Sequence, residues 1–243
     1  MKLSSRDFYR EVRAVLAPQM KAAGFTALKG GTAGWQKETQ QGLLSLWFQV
    51  DKWGWDALWG TRFNLEFSLG EVAGARSPNG RAERFGMLLE GYDDLEEARQ
   101  INNAIIARLP GTLEGKLVTQ RMKNGDEIVV QGYRAEPPIE VGFDYWLNCY
   151  NVEDAQAWAR WFAPRLPRYI AIFENGECSM LGAGRRRFNE ALGRVQALPA
   201  GEKEAKAAIL EAYVQEETEP YWKKAGAFWI AEIRERGGKG ATL

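Results

Sequence analysis

RFNLEFSL, residues 62–69, alternates without interruption. Phe63, Leu65, Phe67 and Leu69 fall on one side of an extended chain, and Arg62, Asn64, Glu66 and Ser68 on the other. Successive side chains of a strand point to opposite faces, so this period of two marks a strand with one buried face. LLSLWFQV, residues 43–50, follows the same logic: Leu44, Leu46, Phe48 and Val50 share one face, and Leu43, Trp47 and Gln49 the other. The order strand, loop, strand predicts antiparallel pairing. The apolar face of such a pair needs a cover; its polar face reads as solvated.

Outward from this pair, helices and further strands alternate. Ser4 or Ser5 caps a first helix, with Phe8, Val12, Val15, Leu16 and Met20 at helical spacing, Pro18 inside it as a point for a kink, and Gly24 as the stop. Residues 30–34, GGTAG, read as a turn before a short strand at 35–39, and residues 75–83 read as loop. Asp93 or Asp94 caps a helix carrying Leu95, Ala98, Ile101, Ile105 and Leu109. Residues 117–122 and 127–131 flank Lys123-Asn124-Gly125-Asp126, a hairpin signal. Residues 139–150 give another strand, after which Asn151 caps a helix with Ala155, Trp158, Trp161 and Phe162 that Pro164 and Pro167 end. Residues 169–173 before Asn175-Gly176 fit either a second hairpin or a short helix. Helices are expected at 185–198, 202–218 and 221–235. The expected fold class is therefore α+β: an antiparallel sheet with helices packed on one face and a helical C-terminal third. Residues 1–150 form the sheet domain in this reading. Residues 151–236 pack on it as a mostly helical part of one compact unit, and 237–243 are a flexible tail.

Composition excludes several chemistries. The chain has no histidine, which removes Ser-His and Cys-His pairs and histidine metal ligands. Thirty-two basic residues balance thirty-two acidic ones, so no global charge attracts nucleic acid or an anionic membrane. No apolar run is long enough for a transmembrane helix, and the amphipathic N-terminal stretch is not a secretory signal. Cys149 and Cys178 make neither a disulfide framework nor a CxxC motif, so a cytoplasmic location is expected. Cys149, within FDYWLNCY, reads as a small core residue.

Ten tryptophans are the strongest positive feature. Trp47, Trp53, Trp55 and Trp59 crowd around the loop Asp51-Lys52-Trp53-Gly54-Trp55-Asp56-Ala57-Leu58-Trp59-Gly60. Its glycines allow turns and its rings offer rigid stacking faces. With Lys52 and Arg62 beside them, Trp53, Trp55 and Trp59 make a platform for a sugar, a base or a partner peptide; the plainer alternative is that the rings close one end of the core. Gly182-Ala183-Gly184 followed by Arg185, Arg186 and Arg187 precedes a predicted helix, and Gly184 with the three arginines is a candidate anion site, the alternative being a solvated basic turn. Residues 111–117 imitate a phosphate loop but are one residue short and lack the magnesium-binding Ser or Thr, and Glu114-Gly115-Lys116 has no clear acidic partner. The carboxylates Asp51, Glu66, Glu140 and Asp144 are the remaining acid–base set, able in principle to converge on a metal or a glycosidic bond.

FYREVRAVLAPQMKAAGF, GWQKET, LLSLWFQVDK and RFNLEFSLG together resemble, over residues 8–72, the bacterial family catalogued as domain of unknown function 4304. The Trp-rich loop and the long helical C-terminal part depart from that family's pattern. The family carries no known catalytic residues, so the resemblance implies a fold and no site. The function expected is a non-catalytic binding or protein-interaction module of the immunity or accessory type, using the aromatic loop. Its partner would be a protein or a small ligand, with no cofactor. The alternative is a histidine-free hydrolase built on carboxylates, with or without a divalent metal.

Overall fold

The structure is a computed structural model. It describes residues 3–52, 54–55, 58–73, 80–89, 91–110, 117–121, 127–131, 146–177, 179–199 and 201–236. In chain order the elements are α1 (Ser5–Ala22), β1 (Thr26–Ala27), β2 (Gly34–Thr39), β3 (Gly42–Val50), β4 (Thr61–Gly70), β5 (Arg81–Arg84), α2 (Tyr92–Ala107), β6 (Leu117–Arg121), β7 (Glu127–Gln131), β8 (Leu147–Cys149), α3 (Val152–Phe162), α4 (Leu166–Glu174), α5 (Met180–Ala197), α6 (Lys203–Glu216) and α7 (Pro220–Arg236).

The two alternating stretches are β3 and β4, and they pair antiparallel in the register that joins like faces. Val50 faces Phe63, Phe48 faces Leu65, Leu46 faces Phe67 and Leu44 faces Leu69. β1, β2 and β3 follow one another on one side of β4. Its other side is shared: β5 pairs with residues 66–69 and β8 with residues 61–63, both antiparallel. The α+β class with an antiparallel sheet and a helical C-terminal part is what the alternation and periodicity predicted.

Three helices cover the apolar face. Phe8 of α1 touches Phe48 and Phe63, with ring centroids 6.3 and 4.8 Å apart. Trp158 and Phe162 of α3 meet Phe63 and Phe48, and Phe173 of α4 meets Phe67. Phe8, Phe48, Phe63, Phe67, Trp158, Phe162 and Phe173 are all fully buried. Each such side chain contributes on the order of 2–3 kcal/mol of burial. α1 starts where Ser4 accepts from the Asp7 amide and the Asp7 carboxylate accepts from the Ser4 amide, a reciprocal cap. The helix runs through Pro18 and stops at Gly24, whose φ of +83° suits glycine. The same reciprocal cap, Asn151 with Asp154, starts α3.

Several local expectations change. Residues 81–83, the end of the stretch read as loop, belong with Arg84 to β5 because they find an open side of β4. The ambiguous segment 169–173 is helical, with Pro167 in the first turn of α4, where its missing N–H costs nothing. β6 and β7 pair antiparallel as expected; the Asn-Gly turn between them lies outside the described residues. The larger correction concerns the second face of the sheet. Asn64, Glu66 and Ser68, expected to be solvated, are buried, and so is Ser45.

The chain divides into two compact units. The first holds the sheet, the β6–β7 pair and α1–α4. The second holds the described residues of 86–91 together with α5–α7. In the second unit Ser179 caps α5, accepting from the Gly182 amide at 3.0 Å and donating to the Met87 carbonyl at 3.1 Å. Trp222 of α7 lies against Gly184 and Phe188 of α5, and Gly226 of α7 sits against Val214 and Tyr213 of α6. Among the described residues no helix is long and apolar enough to cross a membrane.

Candidate functional site: the polar face of the sheet

The register that aligns the apolar faces also aligns the polar ones. Ser45 lies opposite Ser68, Trp47 opposite Glu66, and Gln49 opposite Asn64. The Asp51 amide donates to the Arg62 carbonyl at 2.7 Å, so the row ends on Asp51 beside Arg62. The two serine hydroxyls bond each other at 2.7 Å. Arg62 donates twice to one oxygen of Asp51, at 2.7 and 3.1 Å, and Arg84 of β5 donates to Glu66 at 3.3 Å. The Arg84 guanidinium also stands 5.6 Å from the ring centroid of Trp146, just before β8.

Gln49, Asp51, Lys52, Arg62 and Trp146 line a cavity of about 260 Å³. Opposite Gln49 in the row, Asn64 is 0% exposed, and neither its Oδ1 nor its Nδ2 has a hydrogen-bond partner among the described residues. The Oε1 of Gln49 is buried and unpaired as well. Leaving one buried amide group unpaired costs about 1–3 kcal/mol.

The aromatic loop begins at this cavity and is pinned to the protein. Gly54, φ +72°, closes a turn in which its amide donates to the Asp51 carbonyl at 2.9 Å. Gly60, φ +69°, passes so close to β8 that a Cβ there would fall 2.5 Å from the Cys149 carbonyl oxygen. Trp55 donates its indole N–H to the Tyr150 carbonyl at 2.9 Å and stacks, tilted, on the Tyr150 ring. Leu58 is buried, whereas Trp47, Trp55 and Trp59 are half-buried. The rings are thus neither wholly core nor wholly displayed. Trp53 lies outside the described residues.

Asp51 and Glu66 are each engaged by an arginine and stand at different places in the row, while Glu140 and Asp144 lie outside the described residues. Among the described residues no three Asp, Glu or Cys side chains are grouped to hold a metal ion. Of the phosphate-loop imitation at 111–117, residues 111–116 lie outside them, and Leu117 begins β6. Cys149 is a free, buried thiol whose pKa is pushed well up by burial and then by the Asp154 charge. Cys178 lies outside the described residues.

The basic stretch does not precede its helix; it lies inside it. The Ser179 cap starts α5 earlier than expected, so Gly184, Arg185, Arg186 and Arg187 occupy its second turn. Gly184 packs against Trp222, Arg185 is buried and Arg186 exposed. Arg187 donates to both oxygens of Glu217, at 2.6 and 2.9 Å.

The sequence reading reached Lys52, Arg62, Asp51 and Glu66 and passed over Gln49, Asn64, Arg84 and Trp146. A usable signal was present for two of these: the alternation that placed Phe48 and Leu65 in the core also placed Gln49 and Asn64 together on the other face. No family model, curated protein or solved structure matches this chain. The resemblance of residues 8–72 to domain of unknown function 4304 is accordingly withdrawn: core aromatics and turn glycines at strand and helix spacing are demands of any such sheet, and they carry no family identity.

Proposed function

We propose that this is a non-catalytic binding protein whose contact surface is the 51–60 loop and the adjoining polar sheet face. The observation that carries the reading is the cavity of about 260 Å³ at the start of this loop, where Gln49, Asp51, Lys52 and Arg62 set polar and charged side chains beside the Trp146 ring. Rigid placement lowers the ordering cost of association, and half-buried rings supply contact area at little entropic cost. Asp51 and Glu66, both on this surface, are occupied by Arg62 and Arg84. An accessory or immunity-type role, in which one protein holds another molecule, accords with such a surface. A cytoplasmic location accords with the free Cys149 thiol.

The test is capture from cell lysate on immobilised protein, beside a Trp55→Ala/Arg62→Ala double variant whose circular dichroism matches the parent. Captured species should be retained by the parent and lost from the variant. Equal capture by the two, or none by either, would remove the assignment to this surface.

A further inference from the structure

Arg62 is bonded along one edge only. Its Nε and Nη2 each donate to the same oxygen of Asp51, at 3.1 and 2.7 Å. Among the described residues the side chain makes no other hydrogen bond or ion pair, so the hydrogens of Nη1 and the second hydrogen of Nη2 remain. The Asp51 side chain is 12% exposed and that of Arg62 51%. A largely covered carboxylate therefore fixes the plane of an accessible guanidinium without consuming its outer edge. That edge, Nη1 with Nη2, presents two N–H groups side by side, the arrangement that a second carboxylate accepts through both oxygens.

Arg62, Asp51 and Lys52 all line the cavity at the start of the aromatic loop, with Gln49 and Trp146. Two cations against one carboxylate leave positive charge in excess, so an anion is what this lining accepts. Trp146 is half-buried, and the Arg84 guanidinium over its ring holds the indole as a preformed apolar wall. The volume, about 260 Å³, lies below the roughly 300–1,000 Å³ of sites for drug-sized ligands, so one ring with one charged group fills it. A bare inorganic anion would use the cations and leave the indole without a contact.

We propose that this cavity binds a carboxylate carried on a single aromatic ring. The inference rests on the binding reading given above and names its ligand class. The carboxylate accepts from Nη1 and Nη2 of Arg62, Lys52 adds a second positive charge, and the ring packs against Trp146. A small aryl acid and the C-terminal residue of a partner chain ending in phenylalanine share this chemistry.

Calorimetry, checked by quenching of tryptophan fluorescence, tests this with phenylacetate and N-acetylphenylalanine, each beside its neutral primary amide, and with acetate. At least one of the two aromatic acids should bind with a Kd of about 1 mM or tighter. Its amide should be weaker by about tenfold or more, because a charge-assisted pair becomes a neutral contact. Acetate, which lacks the ring, should also be weaker by about tenfold or more. Binding of phenylacetate marks a free acid as the source; binding of N-acetylphenylalanine alone marks a chain terminus. Arg62→Lys keeps the charge but gives up the paired N–H groups, and should weaken the acid by about tenfold. Lys52→Glu, at an exposed position, reverses one charge of the lining and should weaken the acid by about fivefold or more, an independent test if the first variant does not fold. No binding of either acid, equal binding of the amides or of acetate, or undiminished binding by the folded variants overturns the proposal. If the acids fail while loop-dependent capture from lysate persists, the ligand class is wrong and the binding reading stands; if both fail, both fall.

Discussion

Glu217, just past α6, shows how one buried charge is made tolerable. It is 2% exposed. It accepts from Arg187 through both oxygens, from the Tyr213 hydroxyl at 3.1 Å, and from the backbone amides of Thr218 and Glu219 at 3.0 Å each. Burial by itself raises a carboxyl pKa. Here the Arg187 hydrogen bonds, the backbone amide, the Arg187 charge and the tyrosine hydroxyl more than offset it, and the pKa falls from 4.5 to about 2. The sign follows from linkage. The folded state holds the charged form more tightly than the unfolded state does. The stabilisation is therefore fully present above the unfolded value of 4.5 and is lost as pH falls through about 2. Glu217→Gln should cost about 2–3 kcal/mol near neutral pH, since it removes charge-assisted bonds while Arg187 can still reach water. Urea unfolding of parent and variant at about pH 7 and about pH 2.5 checks this, and the gap between them should shrink at the lower pH. A gap that stays the same at both would show that the charge is not what Glu217 contributes.

Helix packing in the α5–α7 unit rests on glycine at defined places. A Cβ on Gly184 would lie 2.1 Å from Cδ1 of Trp222, which is itself 1% exposed. Gly193, on the same helix, has open space where its Cβ would go. Alanine improves helix propensity at both positions by about 1 kcal/mol, so sterics decide the sign. Gly193→Ala should stabilise by about 0.5–1 kcal/mol, and Gly184→Ala should destabilise by about 1–3 kcal/mol because Trp222 has to move. Thermal unfolding of the two variants should shift in opposite directions; a rise for both would mean that Trp222 yields freely. The same two kinds of information explain what the sequence could tell. Period-two alternation located β3 and β4, their antiparallel pairing and the core face, and helical spacing with Ser4, Asn151 and Gly24 located α1 and α3. The start of α5 was hidden because Gly182 and Gly184 look like a turn until the Ser179 cap and Trp222 are in place. β5 was hidden because Arg81–Arg84 carries no apolar pattern and exists through its pairing with β4. Half of the candidate site was legible for the same reason. Lys52 and Arg62 stood out by charge beside the rings, whereas Gln49 and Asn64 passed as solvent-facing residues, because nothing local in a sequence distinguishes a solvated amide from a buried one.

Over the whole molecule the absence of histidine sets the response to pH. Ordinary carboxyls titrate near 4, and thiols and lysines well above 7, which leaves the interval between to imidazole and to strongly displaced groups. Among the described residues the displaced groups move away from neutrality. Asp7 and Glu11 are lowered, chiefly by hydrogen bonds from Ser4 and Gln156 respectively, and Glu217 is held near 2. The phenols of Tyr9, Tyr169 and Tyr213 and the Cys149 thiol are all raised, burial being the leading cause in each. A lowered carboxyl is charged in both folded and unfolded chains at neutral pH, and a raised phenol or thiol is neutral in both. The number of protons bound then does not change on unfolding, and the slope of stability with pH is close to zero. Urea midpoints should accordingly coincide between about pH 6 and 7.5, within the roughly 1 kcal/mol that a shift of about one pKa unit would produce. The loop-dependent capture proposed above should be equally flat over that interval, since the chain has no imidazole to change charge within it. A step near pH 6.5 in stability would require a carboxyl displaced upward by burial, and a step in capture alone would place that carboxyl at the contact surface.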